Sequence, residues 1–182
     1  MTQNESSKGV HRMASNTALL LIDVQKGMFN KKIPAYKGRE VIDNINTLIE
    51  KAHAAGVPVF VIQHEGATIL AHGSEDWQLH PDLRYAPEDV LVPKHKPDSF
   101  QGTSLEDHLK SRGITKVVAA GFVTHGCVKA TCLGAKSRGY QVVLANDAHS
   151  SYSKDAADLI EKIGAELAEA GVELALTSKI AF

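Results

Sequence analysis

The sequence predicts a single α/β domain built on a mostly parallel sheet, and three observations predict it. Apolar runs of strand length recur along the chain and are apolar at every position, which marks strands covered on both faces. Between them lie segments with apolar residues at helical spacing, closed by glycine. Strand and helix alternate, and a parallel sheet with helices on both faces satisfies that order. The 182 residues suit one domain and can bury a sizeable core.

Residues 1–15 read as a loose polar tail, leaving 16–182 as the domain. Thr17 to Asp23 (T-A-L-L-L-I-D) is the first strand, ending in an acid. Gly27 and Lys31 to Pro34 form a loop. Glu40 to Ala55 is an amphipathic helix through Val41, Ile42, Ile45, Leu48, Ile49 and Ala52, with Gly56 as its stop. Val57 to Ile62 is the next strand, with Pro58 near its start, where proline is tolerated. Gln63 to Pro87 has no clear periodicity and carries His64, His72, Trp77, His80 and Arg84. A polar loop of this length inside a compact domain usually serves function.

Asp89 to Val92 is a short strand that ends at Pro93-Lys94. Thr103 and Glu106 have the spacing of a capping box at the start of a helix that Gly113 ends. Lys116 to Ala120 is a strand, His125 to Arg138 a helix, and Gln141 to Ala145 a further strand. Lys154 to Ala170 is the last helix, stopped by Gly171, and Val172 to Leu176 the final strand.

The composition, 43% apolar and 23% charged, is that of a soluble globular chain. A net charge of −1 gives no electrostatic case for a nucleic-acid or membrane partner. No stretch approaches a membrane span, and Met1 to Met13 has no hydrophobic signal core, so a cytoplasmic protein is expected. Cys127 and Cys132, five apart, suit neither a disulfide framework nor a zinc knuckle.

Open parallel sheets place their sites at the carboxyl ends of the strands. Asp23 ends the first strand, Lys94 follows the third and Cys127 follows the fourth. Cys127 falls at the start of a helix, where unpaired N–H groups make a thiol easier to ionise. Taken singly, each residue has a plain explanation: a turn cap, a solvated lysine, a packing cysteine. Their joint placement at one rim favours a cysteine nucleophile with an acid and a base beside it.

At these residues the chain resembles the isochorismatase-like cysteine hydrolases, over about residues 15–176. The signatures are L-L-L-I-D-V-Q at 19–25, K-H-K-P-D-S-F-Q-G-T at 94–103 and G-F-V-T-H-G-C-V-K-A-T at 121–131. The resemblance implies a three-layer α/β/α sandwich around a six-stranded parallel sheet and a triad of Asp23, Lys94 and Cys127. Lys96 competes with Lys94 for the lysine role, and the spacing to Phe100 selects Lys94. The resemblance further implies a cis Phe122–Val123 bond that aims the N–H groups of Val123 and Cys127 at one point, an oxyanion hole. Gln25, His64, Trp77, Phe122 and His125 are the candidate substrate-lining residues.

Nicotinamidases of that family carry an Asp-x-His metal pair. The segment at 61–66 has none, so no metal and no cofactor are expected, with His64, His72 and His80 the residues to watch. The expected substrate is a small amide, carbamoyl compound or lactam, cleaved at a C–N bond through a thioester. The alternatives are a vinyl ether hydrolase of the isochorismatase type, or a binding or redox-responsive protein on the same scaffold. The resemblance also implies a homo-oligomer.

Overall fold

The computed structural model describes residues 15–182, so the tail expected at 1–15 lies, except for Ser15, outside the described residues. Six strands form one all-parallel sheet: β1 (Thr17–Ile22), β2 (Val59–His64), β3 (Val90–Lys94), β4 (Lys116–Phe122), β5 (Gln141–Ser150) and β6 (Glu173–Ala175). The spatial order is β3-β2-β1-β4-β5-β6, so the order reverses between β1 and β4. The helices are α1 (Lys26–Phe29), α2 (Gly38–Ala55), α3 (Leu105–Ser111), α4 (Lys129–Ser137) and α5 (Ala156–Glu169).

Alternation along each strand divides the core in two. Leu19, Leu21, Val59, Val61 and Val118 pack on α2 through Ile42, Ile45 and Leu48. Leu20, Ile22, Phe60, Ile62 and Val117 pack on α3, α4 and α5 through Leu109, Ala135 and Ile163. The result is the three-layer α/β/α sandwich, and fully apolar strands follow from covering both faces. Pro93 is accommodated because β3 is an edge strand.

Several local expectations are corrected. The short helix α1 occupies part of the stretch read as loop. β2 and β3 run to His64 and Lys94, two residues beyond the apolar runs, because main-chain pairing continues after hydrophobicity stops. The N-cap of α3 is Ser104, not Thr103, and its side chain makes no capping bond. Glu106 instead pairs with Lys110 and Arg138, while the Thr103 hydroxyl donates to the Ser99 carbonyl at 2.6 Å. β5 extends to Ser150 through a bulge, with Leu144 beside Ala119 but His149 beside Gly121. Residues 65–89 contain neither helix nor extended strand.

Gly121 is a glycine on which the close approach of β4 and β1 depends. Its φ is +124°, and a Cβ there would stand 2.0 Å from the Ile22 carbonyl oxygen. Only glycine lets β4 lie this close to the end of β1 at the point where strand order reverses.

Candidate active site

Asp23 immediately follows β1 and adopts a left-handed conformation, φ 51°, which few residues other than glycine, Asn and Asp enter readily. This turns its carboxyl across the strand ends. Lys94, the last residue of β3, reaches it with Nζ 3.0 Å from Oδ2, and the two side chains are 0% and 3% exposed. Nζ also donates to the carbonyls of Lys96, at 3.1 Å, and Pro97, at 3.3 Å. Lys96 contributes only that carbonyl and its side chain is exposed, so of the two lysines it is Lys94 that stands beside Asp23.

Cys127 sits in a wide turn, Thr124–Val128, that precedes α4. The turn is closed by the Val128 N–H to the Val123 carbonyl, and Gly126 breaks its regularity with φ −112° and ψ −109°. The regular helix begins only at Lys129, so the helix expected from His125 starts four residues later. The Phe122–Val123 peptide bond at the entry to the turn is cis. A carboxylate oxygen of Asp23, a ring nitrogen of His64 and the Cys127 sulfur lie within 4.8 Å of one another.

The electrostatics correct the expectation of an easily ionised thiol. Burial pushes Cys127 up to about 12, and the Asp23 carboxylate adds to this while Lys94 opposes it. Asp23 is itself raised, with burial outweighing the attraction of Lys94 and the hydrogen bond from Cys127. Its Oδ1 is buried, with no partner at normal hydrogen-bond distance among the described residues. Both the carboxyl and the thiol therefore hold their protons more tightly than the free groups do.

The segment after β3 is docked onto α4. The Ser99 N–H donates to Thr131 Oγ1 at 3.1 Å, and the two hydroxyls are 2.7 Å apart, all fully buried. Asp98 lies against Gly134, where a Cβ would clash at 2.4 Å. The second and third sequence signatures are thus bonded to each other, which fixes Lys94 relative to Cys127.

Gln25 is fully buried, and its amide pairs with the main chain of His64, accepting from N–H at 2.9 Å and donating to C=O at 3.0 Å. It also donates to the Trp77 carbonyl at 2.8 Å. Gln25 therefore holds the strand ends and the 65–89 loop together and is not a substrate-lining residue. Phe122 is fully buried in the core against Phe29, with ring centroids 4.8 Å apart, so it too lines no open site. The Trp77 ring stands against His72 and borders a groove of about 440 Å³ that Asp23, Lys94 and Cys127 do not line. His125 is exposed on the turn, with Nδ1 3.3 Å from Ser151 Oγ. His64 alone of these five joins the triad positions.

His72 bonds Glu65 at 2.8 Å and His80 packs on Phe29, so neither turns toward His64 as a ligand set. Asp23, His64 and Cys127 are the one group of three with metal-ligand spacing among the described residues. The Lys94 ammonium already stands 3.0 Å from Asp23 and 3.4 Å from His64, so a cation there would meet another cation.

One residue escaped the sequence reading. His149 is buried, with Nδ1 2.9 Å from Thr124 Oγ1 inside the cysteine turn, and burial pushes it down to about 4, leaving it neutral. The signal was the polar run N-D-A-H-S at a strand end, which periodicity alone does not interpret. No helix among the described residues is long and apolar enough to cross a membrane.

Comparison with known proteins agrees with this architecture. A family model described as the isochorismatase domain matches residues 17–169. Streptothricin hydrolase of Streptomyces noursei is 31% identical over 166 residues, covering 90% of this chain and 60% of that protein. The chain thus spans less than two thirds of that relative's length. The secreted isochorismatase effector Isc1 of Verticillium dahliae is 30% identical over 178 residues, covering 93% of this chain and 94% of the effector. The crystal structure of an isochorismatase family protein superposes with a TM-score of 0.84 at 29% identity, covering 89% of this chain and 99% of that one. The chain belongs to the isochorismatase family of hydrolases.

Proposed function

We propose that this protein hydrolyses a C–N bond of a small amide, carbamoyl compound or lactam, with Cys127 as nucleophile and a thioester intermediate. The observation that carries the reading is the buried Asp23–Lys94 pair, 3.0 Å apart, beside the Cys127 sulfur. Burying a charge costs several kcal/mol even after relaxation. An apolar pair would fill the same space without that cost, so chemistry is the reason to keep the charges.

In this reading Asp23 accepts the Sγ–H proton as the sulfur attacks the carbonyl carbon. The raised Asp23 is a stronger base than a free carboxylate, and the thiol near 12 stays protonated until attack begins. Lys94 then faces a thiolate in place of a carboxylate, so the net charge of the site is unchanged. The N–H groups of Val123 and Cys127 receive the developing oxyanion. The C–N bond breaks as Asp23 returns its proton to the leaving nitrogen, and ammonia or an amine departs. A water then gives a proton to Asp23 and attacks the thioester carbon. The C–S bond breaks, and the sulfur recovers the proton from Asp23.

A vinyl ether hydrolase of the isochorismatase type does not need the cysteine, and the placement of Cys127 against the ion pair favours the C–N reading. The test is a screen of small amides, carbamoyl compounds and lactams for release of ammonia or amine by wild type and by Cys127→Ala. Turnover by wild type alone is the expected result. A folded Cys127→Ala protein that keeps its rate rules out the nucleophile.

A further inference from the structure

His64 is the last residue of β2, and the parallel register sets it directly beside Lys94. The two side chains therefore rise from the same face of the sheet. The main chain of His64 is clamped on both its polar groups by Gln25, so the ring has a fixed origin. Its Nδ1 lies 3.4 Å from Lys94 Nζ, a long hydrogen bond but a very short distance between two cations. A lysine ammonium only donates, so Nδ1 is the acceptor and the ring proton is on Nε2. The three N–H groups of Nζ are thus shared among four acceptors within 3.4 Å: Asp23 Oδ2, His64 Nδ1 and the carbonyls of Lys96 and Pro97.

Resting on the reading of Cys127 as nucleophile, we propose that His64 is a positioning residue whose neutral ring holds the Lys94 ammonium in place beside Asp23 and the thiol, and which gives up that hold when it takes a proton. The charged and titratable groups facing the ring are Asp23 after β1, Lys94 at the end of β3, His95 next to it, and Cys127 from the turn before α4. Burial lowers the imidazole from its ordinary value, Lys94 and His95 lower it further, and Asp23 opposes them. The ring is neutral above that lowered value, and the assembled site is lost as the pH falls through it. A protonated ring would set two cations against the single Asp23 carboxylate.

Alkylation of Cys127 by iodoacetamide reads this directly, because Lys94 favours the thiolate. The rate is followed by mass spectrometry between about pH 5 and pH 9, with the buried Cys132 as internal control. His64→Leu removes the acceptor and is expected to slow alkylation at neutral pH by about tenfold, the effect of one pKa unit on thiolate population. His64→Asn retains an acceptor near the position of Nδ1 but cannot titrate. It is expected to recover part of that loss and to follow only the tenfold fall per pH unit of the thiol itself, without the steeper acid limb that protonation of His64 adds in wild type. Equal losses in both variants, wild-type behaviour in both, or the same steeper-than-tenfold acid limb in His64→Asn as in wild type would overturn the proposal. The nucleophile reading fails separately, if Cys127→Ala keeps its turnover, so the two failures are distinguishable. Thermal melts of both His64 variants establish that the folded proteins are being compared.

Discussion

The two ends of the sheet differ in a way that bears on how a site is recognised. At the amino end, Ser15, His53, Pro58, Asp89, Arg112 and Ile114 are among the residues that line a cavity of about 570 Å³. Its charges are conventionally placed: His53 Nε2 meets Asp89 Oδ1 at 2.9 Å, and the other Asp89 oxygen accepts the Ala86 N–H at 2.7 Å. At the carboxyl end, Asp23 and Lys94 are sealed together and one Asp23 oxygen is left without a partner at normal distance. Asp23 also holds a left-handed backbone, a conformation that costs of order 1–3 kcal/mol. Volume marks where a ligand could rest. Buried, incompletely satisfied charge is the kind of feature that sites of chemistry carry.

That contrast is sharpened most by removing the reactive atom. Cys127→Ala should lower turnover by at least about 10³-fold while leaving the urea midpoint close to wild type, as the sulfur is only part of the packing. A comparable loss from a variant at the amino-end cavity would break the contrast.

Next comes the ion pair. Lys94→Met leaves the Asp23 carboxylate buried without its cation, and should cost about 3–5 kcal/mol of stability at neutral pH in urea unfolding. The sign with pH follows from the raised Asp23. A carboxyl raised in the folded state favours folding below the ordinary carboxylate range and loses that contribution as pH rises through its folded value. Without Lys94 it is raised further, so the deficit of the variant should shrink on acidification. A deficit that is flat with pH would mean that Asp23 is not the buried charge responsible.

Asp23→Asn separates the two roles of the carboxylate. Its charge raises the thiol, so the variant should alkylate at Cys127 about tenfold faster at neutral pH. It should nevertheless lose turnover, because nothing then carries the proton to the leaving nitrogen. Faster alkylation with retained turnover would remove Asp23 from the proton path.

The smallest effect belongs to the amino end. His53→Ala breaks a partly exposed pair with Asp89 and should change stability by no more than about 1 kcal/mol, with turnover unaltered. A loss of turnover there would show that the two ends are coupled.

Much of this was legible in the chain. The strands of the core are apolar throughout, α2 shows its stripe from Val41 to Ala52, and Gly56 stops it with φ 69°. The positions Asp23, Lys94 and Cys127 could be picked because each falls just at or beyond a strand end. What could not be read were the features that depend on partners distant in sequence. Gln25 and Phe122 looked like site residues because they neighbour Asp23 and Cys127, but alternation turns Phe122 into the core, and the Gln25 amide is consumed by His64 and Trp77. His149 reaches Thr124 only because of the bulge in β5.

The sequence by itself determined the alternation of strands and helices and the order of the reactive residues along the chain, since both are written in local periodicity and in the places where it stops. The tertiary structure decided the state of those residues. A cysteine before a helix suggested an easy thiolate, yet burial and a carboxylate from another strand push it up to about 12. A pKa is set by every charge and by the solvent within several ångströms, and those neighbours come from β1, β2, β3 and the turn before α4. They meet only once the chain has folded.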